Sequence, residues 1–195
     1  YLANFDWYNY LYDDSRPTWD HNINIKGGTK ALSYMVSGRY YQQKGVNRIE
    51  PDMFKSYNFR VKRQAEIKPW LTIASNTKFF QSNYKYYGYE DEYNNFRKPT
   101  LHALASFVPV NPDGTAVSHT SVTQSSTHYL MDGYNAMMQK GKSFGNKKTQ
   151  EITTTFEATF KLHRNFNVKA DFSYTQGYLH NDYRSVNVQY SPVSY

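Results

Sequence analysis

The sequence predicts an all-β protein: part of an antiparallel, up-and-down transmembrane β-barrel, with about six strands. Three observations lead there. Apolar residues recur at every second position through long runs, the spacing of a strand with one wet and one dry face. Reversals between runs are short near residues 28, 69 and 164 and long elsewhere, and short periplasmic turns opposite long extracellular loops are the barrel pattern. The apolar content is aromatic, with 20 Tyr, 12 Phe and 3 Trp in 195 residues, where a soluble core leans on Leu, Ile and Val.

Residues 1–17 do not alternate. Phe5, Tyr8 and Tyr12 have helical spacing and Asn4 or Asp6 suits a cap, so this segment reads as a short helix or aromatic linker entering the barrel. Residues 18–195 are read as barrel. In the first hairpin, Trp19–Gln42, Ile23 and Ile25 alternate with Asn22, Asn24 and Lys26, then Leu32, Tyr34 and Val36 with Ser33 and Ser37. Gly28–Thr29 suits a type II′ turn, which sets Ile25 opposite Leu32 and Ile23 opposite Tyr34. Gln43–Phe54, with Gly45 and Pro51, reads as a loop.

The third run, Tyr57–Ile67, places Tyr57, Phe59, Val61, Ala65 and Ile67 on one face and Asn58, Arg60, Lys62 and Gln64 on the other. Its length matches the roughly 9–11 residues of a tilted membrane strand. Lys68–Pro69–Trp70 reverses the chain into Leu71–Gln81. Pairing about Pro69 sets Arg63 opposite Ser75 and Val61 opposite Thr77, a polar patch in an apolar face. A midplane Arg against lipid costs about 2–4 kcal/mol, so another subunit or a folded-back segment is expected to cover this patch.

A long extracellular loop is expected at about 82–147, and structureless segments of that size are usually functional. Alternation returns in Ile152–Leu162 and, after a reversal ending at Asn165, in Phe166–Tyr174, then decays from Gln176.

Chemistry is sparse. Cys is absent, and no run approaches the roughly 20 apolar residues of a membrane helix. The six His have no ligand spacing, and no nucleophile elbow, phosphate loop or dinucleotide fingerprint occurs. No metal, cofactor or catalytic residue is expected, and the protein reads as a non-enzyme. The net charge of +7 is interleaved along strands rather than clustered, which argues against a nucleic-acid partner. The candidate substrate-binding residues are Tyr84, Tyr86, Tyr87, Tyr89 and Tyr93, around Glu90–Asp91–Glu92. Tyr faces stack on sugars and Tyr hydroxyls hydrogen-bond, both at low entropy cost. Asn58, Arg60, Lys62 and Gln64 are candidates to line a lumen.

Asp20–His21–Asn22–Ile23–Asn24–Ile25–Lys26–Gly27–Gly28 resembles the His-Asn, alternating, Ser-Gly-Gly stretch of the first barrel strand in SusC/RagA-like TonB-dependent outer-membrane transporters. Tyr34–Tyr41 with Gln43–Val46, Tyr57–Asn58–Phe59–Arg60 with Trp70–Leu71, and Val108–Thr115 resemble later segments of that family in the same order. Asn4–Phe5–Asp6–Trp7 resembles its pre-barrel linker. Ser56 and Arg63 depart from the family pattern, which has a basic and an apolar residue there. The resemblance implies a barrel of about 22 strands, of which this chain is the N-terminal part. It implies import of glycans or peptides, a SusD-like lipoprotein partner, TonB acting through a plug region outside this chain, outer-membrane lipid around the wall, and a homodimer of the transporter–lipoprotein pair. Two other readings of the alternation stand beside it: a small passive outer-membrane barrel or adhesin, and a soluble carbohydrate-binding β-sandwich.

Overall fold

The structure, a computed structural model, describes residues 4–88, 104–117, 142–186 and 191. A short helix, α1 (Trp7–Leu11), precedes six strands: β1 (Thr18–Gly28), β2 (Leu32–Lys44), β3 (Met53–Lys68), β4 (Leu71–Tyr87), β5 (Phe144–His163) and β6 (Phe166–Arg184). They form one sheet in the order β1-β2-β3-β4-β5-β6, with every neighbour antiparallel. This is the meander that the alternation predicts. The described residues supply no second sheet for a sandwich.

The registers carry each strand's alternate residues onto a common face. One row reads Ile25, Val36, Val61, Thr77, Thr154, Tyr174, and the adjacent row on the opposite face reads Lys26, Met35, Lys62, Asn76, Thr155, Ser173. The sheet therefore has an apolar and a polar face. Arg63 pairs with Ser75 and Val61 with Thr77, as pairing about Pro69 requires.

The first turn differs from expectation. Gly28 pairs with Ser33 and Ile25 with Val36, so the reversal centres on Lys30–Ala31 rather than Gly28–Thr29. Thr29 is the cause. Its N–H donates to the Leu32 carbonyl at 2.6 Å, and its Oγ1 accepts from the N–H groups of Ala31 (3.3 Å) and Leu32 (3.2 Å). Alternation constrains parity rather than register, and this shift is even, so the apolar residues keep their face. The other two short turns share one construction. Pro69–Trp70 and Arg164–Asn165 each follow a bulge, between Glu66 and Lys68 and between Lys161 and His163.

The strands outrun their apolar patterns. β4 continues to Tyr87, β5 begins at Phe144 and β6 lasts to Arg184. The connection expected at 82–147 is therefore 88–143, and Tyr84, Tyr86 and Tyr87 belong to a strand. Beyond Gln81 both faces turn polar or aromatic, so the period-two contrast fades while backbone pairing continues.

The buried apolar side chains lie at the rim that carries the long connections. Asp6 caps α1 by accepting from the Asn9 N–H at 3.0 Å. Trp7, Leu11 and Tyr12 pack with Phe5, Tyr10, Val46 and Ile49. Tyr8, which the helical spacing grouped with Phe5 and Tyr12, is 61% exposed, because a helix this short turns only its Trp7–Leu11 line inward. Trp7 Nε1 donates to the Leu104 carbonyl at 2.9 Å, and the Arg48 N–H donates to the Leu11 carbonyl at 2.8 Å. These bonds pin α1 to the β2–β3 connection and to the described part of the β4–β5 connection. In that part Val110 bridges Ala116 around Gly114, whose φ of 86° is a left-handed conformation that favours glycine.

Candidate functional site

The apolar face is a band with aromatic borders. At the short-turn rim Trp70 stacks on Phe160 with centroids 6.4 Å apart, near the exposed Phe166. Toward the other rim the band closes on a row containing His21, Tyr40, Tyr57 and Tyr178. Tyr40 and Tyr57 lie 5.2 Å apart, and His21 stacks on Tyr40 at 6.5 Å. Between these borders stand exposed apolar side chains, among them Ile23, Ile25, Phe59, Ile73, Phe156 and Phe172. Leaving so many large apolar side chains in water is unfavourable at roughly 25 cal/mol per Å², so this face needs an apolar neighbour.

The soft centre of the band is as the sequence placed it. Arg63 is exposed, with Ser75 its register partner and Thr77 Oγ1 3.3 Å from Thr154 Oγ1.

The polar face carries Asn58, Arg60, Lys62 and Gln64 in successive rows, all directed away from the apolar band. A hollow of about 470 Å³ on this side is lined by residues including Asn58, Arg60, Lys78 and Glu151, and one of about 510 Å³ by residues including Lys26, Lys62, Gln64 and Glu157. Arg60 Nε donates to Asn76 Oδ1 at 2.9 Å. Arg39 grips Asp20 with two bonds of 2.8 and 2.5 Å. Lys62 and Lys78 form no ion pair among the described residues, although Glu151 lines the same hollow as Lys78 and Glu157 that of Lys62.

The tyrosines do not act as one cluster. Tyr84 and Tyr86 share the polar face and stack at 5.5 Å, and Tyr86 stacks in turn on Tyr183 at 6.4 Å. Tyr84 Oη donates to Asp52 Oδ2 at 3.1 Å, and Tyr183 Oη donates to the Gly88 carbonyl at 2.9 Å. Tyr86 is only 2% exposed and packs on Gly145, so its ring is held within the rim. Tyr87 falls on the opposite face, where Lys85 Nζ sits 4.9 Å from its centroid. Tyr89 and Tyr93 lie outside the described residues. Sequence reasoning missed Tyr183 and Gly145. Extending the β4–β5–β6 registers past the end of the apolar pattern is the signal that finds them.

A single meander with one apolar, aromatic-bordered face and one polar, charged face has the architecture of a β-barrel wall. The solved structures agree. The chain superposes on the RagAB peptide transporter with a TM-score of 0.61 and 19% identity, over 88% of this chain and 18% of that one. It superposes on the RagAB peptide importer in its closed-closed state (TM-score 0.60, 19% identity, 91% of this chain and 19% of that one). The open-open state matches similarly (TM-score 0.60, 20% identity, 91% and 20%). This chain thus spans about a fifth of the length of those chains, and the likeness is one of fold. No protein-family model matches the sequence, and neither does any curated protein.

Proposed function

We propose that this chain is a barrel-wall segment of a TonB-dependent importer of the outer membrane. The height of the apolar band carries the reading. From Ile152 to Leu162, β5 advances about 34 Å at about 3.4 Å per residue. A strand tilt of about 40° turns that into a height of about 26 Å, matching the roughly 25 Å apolar band of outer-membrane barrels. The aromatic rows at its two borders then stand at the two membrane interfaces. The short-turn rim faces the periplasm, and the rim with α1 and the long connections faces outward.

The mechanism in this reading is binding and gated passage without covalent chemistry. A SusD-like surface lipoprotein lids the outer rim, and TonB acts through a plug that fills the lumen. Asn58, Arg60, Lys62 and Gln64 line the path. Tyr84 is the described tyrosine placed to meet cargo, while Tyr86 and Tyr183 hold it in position. Tyr89 and Tyr93 are kept as candidates from the sequence alone. The cargo is a glycan or a peptide. The resemblance of fold to a peptide importer supports the second, and aromatic stacking supports the first.

The test uses the full-length protein. Fractionation is expected to place it in the outer membrane, with a surface lipoprotein co-purifying in detergent. A strain lacking it is expected to lose growth on particular glycans or particular peptides, and which panel fails names the cargo. A full-length product that stays soluble without detergent would overturn the proposal.

A further inference from the structure

The outer face of the sheet does not end at its tyrosine row. Beyond that row the strands continue toward the long-connection rim, and the face changes from apolar to basic. Two successive rows read Lys55–Asn83–Lys148–His180 and Met53–Lys85–Asn146–Asp182. They line a hollow of about 390 Å³, whose edge is completed by Tyr84 and Lys147, a register pair of the opposite face. Lys55 and Lys148 stand two strands apart, roughly 10 Å at about 4.8 Å per strand, with Lys85 on the strand between them and one row farther out. Lys85 Nζ lies 4.9 Å from the Tyr87 centroid and 5.3 Å from that of Phe144, contacts that hold an ammonium without neutralising it. None of the three lysines forms an ion pair among the described residues. The one carboxylate lining the hollow, Asp182, is engaged by His180 Nε2 at 2.7 Å.

We infer that this hollow is a lipid-phosphate site, taking a phosphate of an anionic glycolipid in the outer leaflet. The inference rests on the membrane reading above, which places the hollow immediately outside the interfacial tyrosines, at the depth where acyl chains end and headgroups begin. The ammonium groups of Lys55, Lys85 and Lys148, with two flanking amides, suit a phosphate, whose charge is spread over several oxygens. The site faces away from the lumen, so its ligand is part of the surrounding bilayer and not transported cargo. Bound there, the lipid would hold the extended outer parts of β3–β6 against the membrane.

The experiment is native mass spectrometry of the delipidated full-length protein in detergent. The probes are bisphosphorylated lipid A and lipid A stripped of phosphate. The phosphorylated probe is expected to bind at least about tenfold more tightly, since a charge-assisted hydrogen bond contributes on that scale. The combined change Lys55→Gln, Lys85→Gln and Lys148→Gln is expected to erase the preference. Lys30→Gln, Lys68→Gln and Lys161→Gln, an equal loss of charge at the opposite rim, are expected to keep it. Arginine at positions 55, 85 and 148 is also expected to keep it, which covers the case where the glutamine variant fails to fold. Equal binding of the two probes, or full binding by the folded glutamine variant, would overturn the inference. Displacement of the lipid by inorganic phosphate alone would also overturn it, by showing a free-anion site. A wild-type chain that enters neither micelles nor bilayers removes the membrane reading itself, which is a different outcome from a micelle-bound chain indifferent to phosphate.

Discussion

Tyr86 lies directly over Gly145, its register partner across β4 and β5. A Cβ built on that glycine would stand 2.6 Å from the ring's Cε1, closer than carbon atoms can approach. The ring fills the space that the absent side chain leaves, with Tyr84 on one side and Tyr183 on the other. Gly145→Ala is expected to expel the ring and destabilise the outer rim by about 1–3 kcal/mol. Tyr86→Ala is expected to be costly too, and the double variant to cost less than the sum, because the two act on one contact. Denaturant unfolding of the full-length protein in detergent measures all three, and additive effects would contradict the packing described.

The cap on α1 gives a pH dependence with a definite sign. The Asn9 N–H and side-chain amide hold the Asp6 carboxyl below its ordinary value. A carboxylate whose folded pKa is depressed stabilises the fold above the unfolded pKa, and that contribution is lost as pH falls through the folded one. α1 is therefore expected to loosen in acid, below about pH 4. Asp6→Asn keeps an acceptor and is expected to flatten the dependence. Hydrogen exchange at the Asn9 amide is the readout, and acid-independent protection in the wild type would refute the assignment.

Arg63 interrupts the apolar band beside Ser75, Thr77 and Thr154. Facing lipid there costs up to about 2–4 kcal/mol, and no described segment covers it. A protein neighbour over this patch is the expected remedy. In the proposed reading, a second copy of the full-length protein or a folded-back segment supplies it. A photo-cross-linker placed at position 63 of the full-length protein in native membranes should yield a protein adduct. Adducts with lipid alone would show that the arginine snorkels instead.

Tyr84 is expected to contribute directly to cargo binding. Removing an aromatic stacking surface weakens binding by about 1 kcal/mol, roughly fivefold. Tyr84→Ala should show that loss in a titration of the full-length complex. Tyr84→Phe keeps the ring but gives up the bond to Asp52, and it should retain most of the affinity. Loss in both variants would point to Asp52 as the group that matters.

The fold class and the two faces are legible in the amino-acid pattern. Side chains alternate strictly along a strand, so a run such as Ile152–Leu162 against Glu151–Lys161 states its faces without a structure. Pairing about Pro69 also sets Arg63 opposite Ser75, a register that the structure reaches through a two-residue Pro69–Trp70 turn and the bulge between Glu66 and Lys68. The same signal failed where its contrast failed. From Ser82 to Tyr87 and from Gln176 to Arg184 both faces carry mostly polar or tyrosine side chains, Leu179 being the aliphatic exception, so strand and loop look alike in one dimension. Only backbone pairing extends β4 and β6 through them. The first turn departs from its expected position for a related reason: parity fits more than one register, and the turn observed is the one the Thr29 hydrogen bonds close. The candidate site depended most on tertiary structure. Tyr84, Tyr86 and Tyr87 are close in sequence, yet strand geometry sends Tyr87 to the other face and buries Tyr86 against a glycine and a tyrosine from strands far along the chain. Lys55, Lys85 and Lys148 of the basic hollow come from three strands, and only the lateral registers bring them together.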